Sequence, residues 1–269
     1  MNVNPGDNMK CYISDQQALQ TCKSLRAFYL GLKDYYSSHG LDIESNRGRR
    51  NILMSEPMEV FLAQELSKVF HHVDADGRTG KADICITSED GSSKELECKL
   101  TSPHLSSGSV AFQTDYETLE RKGKLDYVYI VADETFEKFC FIYFKDLELS
   151  DFRGLSPGAR GKVQMYKHKG MKKATVLLGN VIDRKEVMIT KLSAEKDNLV
   201  NECNEKLSKI KDRINNLNTS QNHEKFKLLS SYEYNKNAYS RRINKLNEKI
   251  TTKRTQTNSS YSLKYGEIS

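Results

Sequence analysis

Three ionisable residues stand close together in a stretch whose pattern is typical of paired strands. Asp83 lies in KADICI, and Glu97 and Lys99 lie in ELECKL, which together give D-x13-E-x-K. Side chains alternate between the two faces of a strand, so Glu97 and Lys99 point to one face while Cys98 points to the other. The Asp-Gly pair of EDGS at 89–92 predicts a hairpin turn. We therefore expect the second strand to return beside the first and to bring Asp83 next to Glu97.

These residue types are suited to metal-assisted hydrolysis of a phosphate ester. Two carboxylates bind a hard ion such as Mg²⁺, which often keeps several of its waters. The ion polarises a phosphoryl oxygen and lowers the pKa of a bound water. A nearby lysine orients or helps to deprotonate that water and balances charge on the phosphorane. The sequence thus predicts Asp83 and Glu97 as ligands of Mg²⁺, for which Mn²⁺ would substitute, and Lys99 as the residue that positions or activates the water.

The alternative interpretation of the same residues is a charged face on an edge strand, as Lys94 and Glu95 indicate. Leu96 and Cys98 are apolar on the opposite face, and Ile84 places the far side of the Asp83 strand in a core. Acids at such half-buried positions are costly without a partner, which favours the metal site.

Two helices precede these strands. Hydrophobic residues at steps of three and four predict a helix over 14–38, with Ser14 and Gln17 as a capping box. A second helix is expected over 55–70, with Pro57 in its first turn.

Strands dominate the next part of the chain, interrupted by a helix over 109–121. YVYIVA and FCFIYF are apolar on both faces, as expected of buried central strands. The segments ATVLL and VMIT suggest two more strands before residue 190. The predicted strands lie near 73 and at 82–87, 94–100, 127–132, 139–144, 174–178 and 187–190.

The hydrophobic pattern changes after residue 190, where apolar residues recur at helical spacing in two runs separated by NTSQNH. This pattern predicts an antiparallel helical hairpin over 191–255, or the arms of a dimer coil. Residues 256–269 are rich in Thr, Ser and Asn and are expected to be a disordered tail, after a catalytic domain over 1–190.

The net charge of +6 is concentrated in this last part. Residues 191–269 contain 16 of the 42 Lys and Arg residues but only 9 of the 36 Asp and Glu residues. The first 190 residues are therefore close to neutral. A basic segment attracts polyanions, of which nucleic acid is the commonest in a cell.

Taken together, the motif and the order of elements resemble the PD-(D/E)XK nuclease superfamily, whose best-known members are the type II restriction endonucleases. The resemblance covers roughly residues 55–145. The family order is a helix, a meander of three strands, a helix and a strand, which matches the predicted order. The proline that usually precedes the first acid of the motif is Ala82 in this chain.

Two further residues match positions of the family. A glutamate on the first helix often assists the site, and Glu59 matches it best, with Glu56 as the competitor. Many relatives carry a glutamine on the helix that follows the lysine strand, and Gln113 resembles it.

The resemblance implies an α/β fold with a restriction-endonuclease-like core, in which a mixed central sheet is flanked by helices. It implies Mg²⁺-dependent cleavage of double-stranded DNA at a specific site, with products ending in 5′-phosphate and 3′-hydroxyl, and a homodimer. The catalytic residues would be Asp83, Glu97, Lys99 and Glu59. Two alternatives stay open: a repair or recombination nuclease of the same superfamily that acts on DNA structure, and a catalytically silent DNA-binding or coiled-coil scaffold protein.

Several basic residues near the motif, with Gln113, are candidate contacts to DNA, since a nuclease must neutralise phosphates on both sides of the cut. Three arginines precede the acid-bearing helix, two basic residues flank Asp83, and others fill the stretch 153–173. The candidates are Arg47, Arg49, Arg50, Arg78, Lys81, Arg153, Arg160, Lys162, Lys167, Lys169, Lys172 and Lys173.

Composition argues against other classes. No stretch approaches the roughly 18 to 20 consecutive apolar residues of a membrane helix, and the first residues lack the apolar region of a signal peptide. The six cysteines are scattered without a CxxC pair, which argues against a zinc cluster. We expect a cytoplasmic protein with no membrane association and no small-molecule cofactor.

Overall fold

A computed structural model of the chain describes residues 11–75, 81–104, 109–155, 161–256 and 261–268. The chain forms two compact units, one of Met1–Ile182 with Tyr261–Ser269 and one of Asp183–Ser260. The α-helices of the described part are α1 (Asp15–Ser38), α2 (Arg47–Leu66), α3 (Tyr116–Lys122), α4 (Lys167–Gly170), α5 (Arg184–Asn215) and α6 (Asn222–Thr255). The strands are β1 (His72–Asp74), β2 (Ile84–Thr87), β3 (Ser93–Thr101), β4 (Gln113–Asp115), β5 (Lys124–Ala132), β6 (Phe139–Glu148), β7 (Lys162–Gln164), β8 (Ala174–Leu178), β9 (Asn180–Asp183) and β10 (Tyr261–Lys264).

The first unit is built on a mixed six-stranded sheet in the order β1-β2-β3-β5-β6-β8. All neighbouring pairs are antiparallel except β3 and β5, which are parallel. Parallel strands need a crossover connection, and the segment between β3 and β5 includes α3. The expected α/β fold with a mixed central sheet flanked by helices is therefore confirmed.

The sheet separates two apolar cores, because alternate residues of β5 and β6 point to opposite faces. Val128 and Ile130 pack with residues of α1 and α2 on one face. Tyr127 and Tyr129 pack on the other face with Leu119 of α3 and with residues near β4 and β7. Both central strands are buried almost throughout, as their apolar sequences predicted.

Helix α2 begins earlier than the sequence indicated. Its amino-terminal cap is Asn46, whose side chain accepts a hydrogen bond from the Arg49 main-chain N–H at 3.0 Å. Pro57 thus lies inside the helix rather than in its first turn, where it removes one main-chain donor. By contrast, the capping box of Ser14 and Gln17 at the start of α1 is confirmed.

Three other sequence expectations are wrong, and two of them involve pairing between distant segments. Residues 113–115 form β4, which pairs with β7, so the helix expected over 109–121 begins only at Tyr116. The VMIT segment at 187–190 lies in α5, whose first turn is capped by the Asp183 carboxylate. The tail expected to be disordered contains β10, which pairs with β9, and so returns to the first unit.

The second unit is the predicted antiparallel helical hairpin, with its start at Asp183 instead of residue 191. Tyr239 on α6 donates a hydrogen bond to Glu202 on α5 at 2.7 Å. Lys185 donates to the main-chain oxygen of Gln256 at 2.7 Å, so opposite ends of the two helices meet. Leu199, Cys203 and Leu246, with Tyr239, form its small core. No helix of the described residues is both long and apolar enough to cross a membrane.

Arg50 fastens α2 to the sheet. Its guanidinium is completely buried and donates to the main-chain oxygen of Glu134 at 2.8 Å and to the Ser102 hydroxyl at 3.2 Å. The same group lies 4.9 Å from the centre of the Phe136 ring. Arg50 is therefore a structural residue, and its expected contact with DNA is contradicted by its burial.

We predict that Arg50→Met destabilises the protein by about 3 kcal/mol, because the Glu134 main-chain oxygen and the Ser102 hydroxyl lose the buried guanidinium that donates to them. Arg49→Ala is the matched control, since Arg49 lies in the same turn but is exposed, and it should change stability by less than about 0.5 kcal/mol. Denaturant unfolding followed by circular dichroism measures both. Equal stability of the two variants would contradict the structural role of Arg50.

Candidate active site

The β2–β3 hairpin places the two acids of the motif opposite each other. Ile84 pairs with Leu96 in an antiparallel register, so Asp83, which directly precedes β2, lies beside Glu97. Leu96 and Cys98 are buried in the core that contains α1 and α2. Glu97 and Lys99 therefore point to the other face of the sheet, as the alternation of the sequence predicted.

Lys99 joins both carboxylates. Its Nζ donates to Glu97 Oε1 at 2.5 Å and lies 3.6 Å from Asp83 Oδ2. Asp83 Oδ2 also accepts a hydrogen bond from the Cys98 main-chain N–H at 2.7 Å. The side chains of Glu97, Asp83 and Lys99 are 7%, 19% and 27% exposed. The three residues thus meet in one small, partly buried volume.

The pKa values of Glu97 and Lys99 are both raised, but for different reasons. Burial raises the pKa of Glu97, the charge of Lys99 lowers it, and repulsion from Asp83 raises it, with a net increase. Burial alone would lower the pKa of Lys99, but attraction to Glu97 and Asp83 outweighs it and raises that pKa above its ordinary value. Lys99 is therefore a fixed cation and hydrogen-bond donor in this arrangement, so it is better suited to positioning a water than to removing its proton.

Glu59 on α2 lies within electrostatic range of the motif. Burial and repulsion from Asp83 raise its pKa to about 7, although Lys99 opposes the shift. Glu56, the competing residue, is exposed to solvent. The structure thus brings Glu59, rather than Glu56, into the electrostatic field of the motif.

The donor set fits a hard divalent ion. Two carboxylates, those of Glu97 and Asp83, flank the single Lys99 ammonium, so the group has an excess of negative charge. Within the described ranges, no group of three or more His, Cys, Asp and Glu residues is arranged to hold a metal by itself. Mg²⁺ does not require one, since it is commonly bound through one or two carboxylates with waters completing its shell. Asp83 and Glu97 are the residues that would hold it.

Two tyrosines on the next strand were not identified from sequence. The parallel register pairs Glu97 with Tyr127 and Lys99 with Tyr129. The Tyr129 hydroxyl donates to the main-chain oxygen of Gln113 at 2.8 Å, and the Tyr127 hydroxyl lies 2.9 Å from Thr114 Oγ1. These bonds fix β4 on the face of the sheet that carries the motif. Both tyrosines lie in the apolar run YVYIVA, which predicted a buried strand and did not indicate that their hydroxyl groups bond to β4.

Gln113 therefore lies beside the site, but on a strand rather than on the helix that the sequence predicted. Its side chain is exposed, while its main-chain oxygen holds Tyr129. Asp115, two residues later, adds a charge that raises the pKa of Glu97 as a minor contribution behind burial, Lys99 and Asp83.

The basic residues proposed as DNA contacts have different surroundings. Arg49, Lys81 and Lys162 are exposed. Arg47 forms an ion pair with Glu134 at 2.9 Å, whereas Arg50 is buried as described above. Arg78 and Arg160 lie outside the described residues.

Comparisons of the chain with protein-family models, with curated proteins and with solved structures found no match.

The raised pKa of Glu59 predicts a pH-dependent effect of Glu59→Gln on stability without metal. The folded-state pKa of about 7 exceeds the ordinary value of 4.5. The Glu59 carboxyl therefore lowers the free energy of unfolding as the pH rises through this interval, and this loss of stability is largest above the interval. Glu59→Gln should therefore raise the melting temperature at pH 8 in EDTA and leave it nearly unchanged at pH 4. Thermal melts at both pH values measure the difference, and Glu56→Gln is the exposed control. A Glu59→Gln variant that is less stable than the parent at pH 8 would show that the ionised Glu59 carboxylate stabilises the fold, which contradicts the raised pKa.

Proposed function

We propose that the protein is a Mg²⁺-dependent endodeoxyribonuclease with a restriction-endonuclease-like core, which cleaves double-stranded DNA at a specific site. The observation that carries the proposal is the contact of Lys99 with both Glu97 and Asp83 at a partly buried face of the sheet. The order α2, β1, β2, β3, α3 and β5 supports the proposal, with the short strand β4 inserted between β3 and α3.

Each residue has a distinct role in this proposal. Asp83 and Glu97 would hold the ion, which would supply Lewis-acid activation of a water and of the phosphoryl oxygen. Lys99, kept protonated by its two acidic partners, donates a hydrogen bond that orients the attacking water and balances charge on the phosphorane. Glu59 would assist the site through its negative charge, which is coupled to Asp83 and Lys99. In-line attack leaves the 5′-phosphate and 3′-hydroxyl ends that the resemblance implies.

Double-strand cleavage requires access to both strands, and a homodimer is therefore part of the proposal. Two sites related by a two-fold axis act on the two halves of a palindromic sequence. The basic hairpin of α5 and α6 would then either clamp the duplex or join the two subunits. Its excess of Lys and Arg suits the clamp, and its exposed Phe226 and Tyr234 suit the subunit contact.

The direct test is the digestion of supercoiled phage and plasmid DNA with Mg²⁺ and with EDTA. We expect cleavage only with Mg²⁺, and Glu97→Gln, Asp83→Asn and Lys99→Met should each reduce the rate by about 100-fold or more, as the loss of an electrostatic catalytic group does. Discrete fragments would indicate sequence specificity, whereas preference for branched substrates would indicate a repair nuclease.

Glu95→Gln is the matched control. Glu95 lies two residues before Glu97 on β3 and also pairs with a lysine, since Lys122 Nζ lies 2.5 Å from its Oε1. This variant should cleave at nearly the parent rate. Cleavage that survives in Glu97→Gln, or that falls equally in Glu95→Gln and Glu97→Gln, would contradict the assignment, and a parent without cleavage would favour the non-catalytic alternative.

A further inference from the structure

Strands β4 and β7 form a two-stranded antiparallel ribbon with one apolar and one polar face. Thr114 and Val163 lie opposite each other and are both buried. Alternation directs the cross-strand pairs on either side of them outward. These pairs are Gln113 with Gln164 and Asp115 with Lys162.

A third segment extends the polar face. The main-chain N–H of Arg153 donates to the Gln164 oxygen at 2.8 Å, and Phe152 bridges to Met165. Arg153, Gln164 and Gln113 therefore form a row across three adjacent segments. Arg153 and Gln113 are exposed, and Gln164 is half-buried.

The ribbon is fixed beside the candidate site. Tyr129, which pairs with Lys99, donates to the Gln113 main-chain oxygen, and Tyr127, which pairs with Glu97, bonds to Thr114. Positive charge lies along its edge, because the Arg153 guanidinium and the Lys169 ammonium lie 6.0 and 5.2 Å from the centre of the Tyr166 ring.

The chemistry of the row is suited to one kind of partner. A two-stranded ribbon fits the major groove of B-DNA, which is about 12 Å wide. Glutamine forms paired hydrogen bonds with adenine and arginine does so with guanine, while the Lys169 ammonium suits a phosphate. Among the described residues, the Gln113 and Gln164 side chains have no hydrogen-bond partner, so their donors and acceptors are available to bases.

We propose that the β4–β7 ribbon enters the major groove and that Gln113, Gln164 and Arg153 read base edges next to the cut. This inference rests on the proposed nuclease function, since it assigns the sequence specificity of the same site. The ribbon would set where the enzyme cuts, and Asp83, Glu97 and Lys99 would perform the cut.

The test compares the parent with Gln113→Ala/Gln164→Ala and with Gln113→Glu. The alanine change leaves the main-chain oxygen that holds Tyr129, so the ribbon should stay folded, and circular dichroism checks this. Gln16→Ala, an exposed glutamine in the first turn of α1, is the control. Two measurements are made: sequencing of the DNA ends produced with Mg²⁺, and selection of bound sequences from a random duplex pool in EDTA.

We expect the parent and Gln16→Ala to share one base preference. The double variant should cleave the preferred site about 10-fold more slowly or worse and lose discrimination at one or two base pairs, since each good paired contact gives a factor of that order. Gln113→Glu should shift the preferred base, which a merely structural role for Gln113 would not do.

The outcomes separate the two proposals. Metal-dependent cleavage with the same base preference in the parent and both ribbon variants would overturn the ribbon assignment and leave the nuclease intact. Cleavage by the parent without any base preference would do the same. If the parent does not cleave, the nuclease proposal fails, and the binding selection still decides: an enriched sequence lost in the double variant supports the ribbon, whereas no enrichment or equal enrichment overturns it.

Discussion

The structure of the first unit depends on the placement of one ammonium between carboxylates at a partly buried face of the sheet. Without a positive charge nearby, burying the Glu97 and Asp83 carboxylates side by side would cost far more free energy than placing the same two acids at the surface. Lys99 provides that charge from the same strand, because alternation puts it two residues from Glu97 on the same face. Lys99 offsets the charge of Glu59 only in part, since the pKa of Glu59 stays raised to about 7, and we propose that the remaining negative charge attracts a divalent cation.

The two faces of the sheet differ in the residues that they carry. The face that packs against α1 and α2 is apolar, and Arg50 fastens α2 through main-chain oxygens rather than through an acid. The opposite face combines the motif with Tyr127 and Tyr129, whose hydroxyl groups hold the β4–β7 ribbon. Strands β3 and β5 thus connect the acids to the surface that we propose for base recognition.

Sequence reasoning succeeded where the determinants are local. The alternation of Glu97 and Lys99, the Asp-Gly turn and the capping box of Ser14 each depend on residues a few positions apart. It failed where a distant partner decides the structure: β4 exists because β7 pairs with it, and β10 exists because β9 does. The predictions for Pro57 and Arg50 were wrong for a related reason. Proline is more common at the start of a helix than inside it, and arginine is more often exposed than buried.

We propose that Asp83 and Glu97 hold a divalent ion and that Lys99 offsets part of their negative charge when no ion is bound. Mn²⁺ titration followed by electron paramagnetic resonance, on the full chain without DNA, tests it most directly. We expect that the parent binds Mn²⁺, that Glu97→Gln loses this binding, and that Lys99→Met binds at least as tightly because the competing ammonium is gone. Equal binding by the parent and Glu97→Gln, or binding abolished by Lys99→Met in a folded protein, would contradict it.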